Sequence, residues 1–203
     1  MIFTVTGGKP YYLAGLYPVL LAAGAGPVVR WAWTTRVRTA LVGAAVALSA
    51  LVDATLMLPV VPEHMLASTP ITAMVADVGE TVGWPAFAAT VARVADAQPP
   101  GTVVLTRNYG EAGALQRFAP RLAVVSGHNS YADWAIPPVT ATTAVVTGYD
   151  RDQLTGWFAS VVPAARIDNG VGLDNQEQGG TVWVCRIPLR PWPELWPEIR
   201  HVG

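Results

Sequence analysis

Charge is what this 203-residue chain has least of: 13% of its residues are charged, against 52% hydrophobic. A soluble domain carries about 25% charged residues. With a mean hydropathy of +0.35, part of the chain must be solvated by lipid or deeply buried. Lysine occurs once, as Lys9, and cysteine once, as Cys185. A lone cysteine excludes a disulfide framework and a cysteine-built zinc site. Cys185 lies in the alternating run TVWVCRI and reads as a buried structural thiol. There is no phosphate-binding P-loop, no G-x-S-x-G elbow and no zinc-binding His pair. Gly170-Val171-Gly172 leads into Leu173, Asp174 and Asn175, so it fails the dinucleotide fingerprint. Met1 to Gly8 has no basic segment, and no cleavage site follows a short apolar core, so no signal peptide is expected.

The charge that is present is unevenly placed. Residues 1–62 carry Lys9, Arg30, Arg36 and Arg38 against Asp53, a net +3, and the remainder carries −4. A nucleic-acid binder would show a basic patch on its folded domain, so no nucleic-acid partner is expected. Residues 11–29 are free of charge, close to the ~20 residues of a membrane-spanning helix. Tyr11, Tyr12 and Tyr17 at one end and Trp31 and Trp33 at the other match interfacial aromatic belts. Residues 39–61 form a second candidate span, apolar all round and with Gly43, Ala44, Ala47 and Ala50 available for close helix packing. Asp53 falls toward its far end. A headgroup-level position, or one satisfied by a neighbouring helix, is preferred to an intramembrane site, because Pro59 and Pro62 end the span soon after. Arg30, Arg36 and Arg38 lie between the spans with no acidic neighbour. The positive-inside rule places that loop in the cytoplasm. A multi-pass cell-membrane protein in contact with lipid follows, with its C-terminal domain extracytoplasmic.

Residues 63–79 read as an extended connector and residues 80–203 as an α/β domain. Short β-branched runs at 102–106, 122–126, 143–148, 164–168 and 181–187 give about five strands. Helices are expected from Thr81 or Gly83 to the Pro99-Pro100-Gly101 stop, over Glu111–Phe118, and from Asp150 or Arg151 through Trp157 and Phe158. The alternation argues a mostly parallel or mixed sheet covered by helices. The final PLRPWPELWPEIRHVG is expected to lie on the domain or at the membrane interface.

Two loops follow strands, where open α/β sheets bind ligands. One contains Asn108, Tyr109 and Glu111; the other contains His128, Asn129, Tyr131, Asp133 and Trp134. These eight are the candidate ligand- or acceptor-recognition residues. Plainer roles exist for each: Asn108 as a helix cap, Glu111 as complement to a helix dipole, His128 and Asn129 as turn residues, and Tyr131 and Trp134 as packing. His128 with Glu111 or Asp133 forms a conceivable acid–base pair, but recognition is preferred to catalysis. Asp168, Asp174 and Glu177 share a Gly- and Asn-rich stretch without EF-hand spacing and are read as a solvated loop. No metal, cofactor or catalytic residue is assigned.

Four stretches taken together resemble the C-terminal part of bacterial family 39 glycosyltransferases. They are Gly8-Lys9-Pro10-Tyr11-Tyr12-Leu13 with Leu16-Tyr17-Pro18, Glu80-Thr81-Val82-Gly83-Trp84-Pro85, Asn108-Tyr109-Gly110-Glu111-Ala112-Gly113-Ala114-Leu115, and Ser126-Gly127-His128-Asn129-Ser130-Tyr131 with Asp133-Trp134. Those enzymes are multi-span relatives of the protein O-mannosyltransferases and of the aminoarabinose transferase acting on lipid A. The resemblance implies a GT-C-type enzyme that moves a sugar from a polyprenyl-phosphate donor outside the membrane. It also implies acidic catalytic residues in the first outer loop, and no position here matches them. The chain is therefore expected to be a C-terminal fragment without the catalytic half, inactive alone, or completed by a separate catalytic chain. The alternative is a stand-alone membrane-anchored binding or scaffold protein. Lys9, Tyr11 and Tyr12 then serve as a lipid-phosphate contact or as an interfacial anchor. Ala135 departs from the resemblance, which leads to Gly after Trp134.

Overall fold

The computed structural model describes residues 14–202, which divide into one unit ending at Val60 and a second running from Val61. Lys9, Tyr11 and Tyr12 lie outside the described residues.

The first unit is a helical hairpin of α1 (Tyr17–Ala32) and α2 (Arg36–Met57). The side chain of Thr35 caps α2 by accepting from the Arg38 amide at 3.3 Å. The turn is sealed by the Thr39 hydroxyl donating to the Ala32 carbonyl at 3.0 Å. The Arg38 guanidinium lies 5.0 Å over the Trp31 ring. At 1.5 Å per residue, the 22 residues of α2 reach about 33 Å, enough for a hydrocarbon core of about 30 Å. Among the described residues α2 is the one helix long and apolar enough to cross a membrane, and none of its residues is buried. Helix α1 has 16 residues and carries Pro27 inside it. Among the described residues it begins at Tyr17 and runs past Val29 to Ala32, and the expected start at Tyr11 lies outside the described residues. The second boundary moves as well, to Arg36–Met57, because the chain is extended from Leu58 toward Pro59.

The connector is not extended. Three single helical turns fill it, α3 (Glu63–Leu66), α4 (Ile71–Met74) and α5 (Ala76–Gly79), with Leu66 and Ile71 buried. Helix α6 (Trp84–Asp96) then starts behind Gly83, whose φ of +93° only glycine holds without strain. Next come β1 (Val103–Thr106), α7 (Tyr109–Phe118), β2 (Val124–Ser126) and a 3-10 turn over Asn129–Asp133. They are followed by β3 (Thr143–Thr147), α8 (Arg151–Thr155), β4 (Phe158–Arg166), β5 (Thr181–Pro188) and α9 (Trp192–Ile199).

The five strands form one mixed sheet in the order β2-β1-β3-β5-β4. Strand β1 is parallel to β2 and β3, and β5 is antiparallel to β3 and β4. Successive residues of a strand face opposite sides, and here both sides are covered. Val104, Val145, Val182 and Val184 pack with Phe87, Val91 and Leu115 of α6 and α7. Val103, Leu105, Val146 and Cys185 pack with Leu154 of α8 and Trp192, Leu195, Trp196 and Ile199 of α9. Cys185 is fully buried, which pushes its thiol up to about 12, as a structural cysteine requires. Edge strand β4 carries Pro163 and a register shift before Ala165, two devices that blunt an exposed edge.

Helix α9 forms despite Pro193 and Pro197, since Pro193 sits in the first turn, where its missing N–H is no loss. Its indoles are locked by donation: Trp192 Nε1 to the Ala141 carbonyl at 2.8 Å and Trp196 Nε1 to the Ala132 carbonyl at 3.1 Å. Removing a buried indole leaves a large cavity and an unpaired carbonyl. Trp192→Ala is therefore expected to lower the unfolding free energy by about 3–5 kcal/mol, measured by denaturant titration of the full chain in lipid nanodiscs. A loss below about 1 kcal/mol would mean that α9 is not part of the core.

Candidate functional site

Every parallel strand ends in a buried hydroxyl: Thr106, Ser126 and Thr147, each 0% exposed. Because Thr106 pairs with Ser126 and with Thr147 in register, the chain leaves all three strands at one level. The hydroxyls fasten the turns that follow. Ser126 Oγ donates to the Arg107 carbonyl at 3.4 Å, Thr106 Oγ1 to the Asn108 carbonyl at 3.1 Å, and Thr147 Oγ1 to Glu111 Oε1 at 3.2 Å.

Glu111 is the hub of this end. Asn108 caps α7, its Oδ1 accepting from the Glu111 amide at 2.8 Å, and Glu111 reaches back in a complete capping box. Its Oε2 accepts from the amides of Asn108 at 3.1 Å and Arg107 at 2.9 Å. The side chain is buried, and burial raises its pKa; the Asn108 amide, the Thr147 hydroxyl and the Arg107 amide pull the other way.

Strand β1 continues into α7 on one face of the sheet, and β3 into α8 on the other. The topological switch point, where open α/β sheets take ligands, therefore lies between β1 and β3. This chain fills it. Gly148, at φ +80°, lies so close that a Cβ there would come 2.5 Å from Arg107 Cβ and 3.0 Å from both Glu111 oxygens.

The open surface is one strand over, between β1 and β2. The Tyr109 amide donates to His128 Nδ1 at 3.4 Å. As an acceptor, Nδ1 leaves the neutral ring's proton on Nε2. The Tyr109, His128 and His201 rings form a row with centroids 4.8 Å apart at each step, Tyr109 tilted 31° on His128 and His201 stacked on it at 12°. His201 arrives from the C-terminal tail through two backbone bonds of 2.9 Å, its amide to the Gly127 carbonyl and its carbonyl from the Asn129 amide. The tail can lie this close because residue 127 has no Cβ, which would fall 2.4 Å from the Ile199 carbonyl oxygen. Asn129 adopts φ +51°, a conformation Asn tolerates. Beside the stack is an open depression of about 430 Å³ lined by Asn129, Ser130, Asp133, Arg200, His201 and Val202.

The structure thus brings Asn108, Tyr109, His128 and Asn129 together. Tyr131 and Trp134 form a separate tilted pair 4.6 Å apart, with Trp134 69% exposed. Glu111 spends its oxygens on the α7 cap and Thr147, and Asp133 is paired with Arg200 at 2.6 Å.

The loop between β4 and β5 corrects another expectation. Asn175 Nδ2 donates to the Gly79 and Val82 carbonyls at 3.2 and 3.1 Å, and the Gln176 amide donates to Glu80. That packing leaves Glu177 buried rather than solvated. Asp168 turns away to accept from the Gly170 amide at 3.0 Å and Gln178 Nε2 at 3.2 Å, which lowers its pKa. Among the described residues no group of three or more His, Cys, Asp or Glu could hold a metal ion. Sequence reasoning missed Arg200 and His201, whose only signal was an Arg-His pair after the last apolar run. It also missed the terminal hydroxyl shared by the runs VVLT, VVS and AVVT.

Burial, and then the charges of Glu111 and Glu80, push Glu177 up to about 7, against a hydrogen bond from the Asn108 side chain. A carboxyl whose pKa is higher folded than unfolded binds more protons in the folded state between the two values. Stability should therefore fall as pH rises from about 4.5 to about 7. Glu177→Gln should flatten that slope, read from denaturation midpoints at a series of pH values. Glu111, also raised, leaves a remainder of the same sign.

No family model, no curated protein and no solved structure matches the chain.

Proposed function

We propose that this protein is the extracytoplasmic recognition domain of a membrane glycosyltransferase that draws on a polyprenyl-phosphate sugar. In this reading α1 and α2 both span the bilayer. The arginines at the facing ends of the two helices, Arg30 in the last turn of α1 and Arg36 and Arg38 in the first turn of α2, lie on the cytoplasmic side, and the unit from Val61 onward lies outside. Lys9, Tyr11 and Tyr12 contact the lipid phosphate at the outer surface. The observation that carries the reading is the Tyr109 amide to His128 Nδ1 contact, which joins the two loops of the resemblance into one surface at adjacent strand ends. Tyr109 is 54% exposed there, available to a ligand. Recognition is preferred to catalysis because Glu111 and Asp133 are both engaged elsewhere. The carboxylates for transfer are then supplied by another segment or chain. The same engagement also favours a second reading, an anchored scaffold with no part in transfer.

Transfer of labelled hexose from polyprenyl phosphate, measured in membranes that lack the chain, should recover when it is restored. Tyr109→Ala should lower that recovery about tenfold, the effect of losing one well-placed contact. Transfer that proceeds equally without the chain would leave the scaffold reading. Orientation has its own check, since the native thiol is buried. An impermeant maleimide added outside intact cells should label Asp152→Cys and spare Thr34→Cys; the reverse pattern would overturn the topology.

A further inference from the structure

We infer that the depression beside the ring stack is a saccharide subsite, shaped for an uncharged pyranose rather than for a phosphate or an amine. This rests on reading the β1–β2 end as the recognition surface, and it names the ligand class. The wall is built on an ion pair. Arg200 Nη2 lies 2.6 Å from Asp133 Oδ1, and both side chains are about half exposed. A guanidinium fork and a carboxylate side by side offer donors and acceptors at no net charge. Neighbouring sugar hydroxyls each donate and accept, so a vicinal diol satisfies both halves together. A phosphate would meet Asp133 and an ammonium would meet Arg200, and each would be repelled by one member. Ser130 adds a further two-way hydrogen-bonding group on the same rim.

The apolar side of a pyranose needs a flat partner, and the stack supplies one. His201 lines the depression, lies 4.8 Å from His128 with the rings 12° from parallel, and is backed through it by Tyr109. The platform is fixed before a ligand arrives. His201 is tied at its amide and its carbonyl to Gly127 and Asn129, and its Nδ1 lies 3.0 Å from the Ile199 carbonyl oxygen. Such preorganisation removes ordering cost from binding. A volume of about 430 Å³, open to solvent, suits one sugar ring of a longer glycan.

The test is saturation-transfer NMR on the full chain in phosphatidylcholine nanodiscs, free of sugar-headed detergents. The probes are methyl α-hexopyranosides of gluco, galacto and manno configuration, with inorganic phosphate as competitor. At least one hexoside should receive saturation on its ring C–H protons, undiminished by a tenfold excess of phosphate. Asp133→Asn and His201→Ala should each weaken it about tenfold. Val202→Arg, at a residue 89% exposed and therefore harmless to folding, should block the depression and abolish the signal. Near-UV circular dichroism verifies that each variant is folded. Absence of signal from every hexoside, displacement by phosphate, or a signal unchanged in Val202→Arg would each overturn the subsite. Those outcomes leave the transferase reading untouched, because dependence of transfer on Tyr109 is a separate measurement. Saccharide contact without dependence of transfer would instead keep the subsite on an anchored scaffold.

Discussion

The end of the domain where the parallel strands finish depends on a buried carboxylate. Glu111 is only 2% exposed, and an ionised carboxyl at such a site is tolerable only with its hydrogen bonds made. It receives the amides of Arg107 and Asn108 and the hydroxyl of Thr147. One side chain thereby ties the exit of β1, the first turn of α7 and the end of β3. Ala in its place would leave three donors without partners next to a cavity, the combination that makes buried polar networks costly to break. The position of Tyr109 follows from this brace, because Tyr109 is the first residue of the helix that Glu111 fixes.

Filling the switch point has a consequence for where a ligand can go. With Arg107, Gly148 and Glu111 in mutual contact, the usual crevice of an open α/β sheet is occupied by the protein itself. The loop after β2 then carries the C-terminal tail against it, which the absence of a side chain at Gly127 admits. The two sides of Asn108 differ sharply as a result. Toward β3 lies a buried network of Glu111 and Thr147, with Glu177 close enough for its acidity to be weakened by Glu111. Toward β2 lies a ring stack open to solvent. The first is suited to rigidity and the second to contact.

The sequence was legible where one local rule acts alone. Runs of β-branched residues marked β1, β2, β3 and β5 to within about two residues, and Asn108 with Glu111 three positions on announced the α7 cap. Legibility failed where two rules compete. Trp157 and Phe158 continue the apolar spacing of α8, yet Phe158 opens β4, a nine-residue strand that had been expected only from Ala164. Pairing with β5 fixes it, through Phe158 with Pro188 and Ser160 with Arg186, and pairing cannot be read from one strand alone. The prolines of the last segment concealed α9, whose two buried tryptophans supply the stabilisation its helix propensity lacks. His201 was invisible because nothing local brings it to His128; that approach depends on Gly127, 74 positions earlier in the chain.

An anchored domain changes what affinity the proposed site needs. An open depression whose polar wall is an exposed ion pair cannot bind tightly, since exposed pairs contribute little and stay screened by water. A single sugar ring in solution would be held only weakly there. A tether alters the arithmetic, because linking a weak module to the place where its ligand is confined raises effective concentration into the millimolar range. With α2 long enough to cross a bilayer and only a few residues separating its end at Met57 from the start of the second unit at Val61, the domain cannot diffuse away from a membrane that α2 enters. On the proposed reading, weak, preorganised contact is then sufficient for a glycan built on a lipid carrier, and it releases the glycan quickly, as repeated transfer would require.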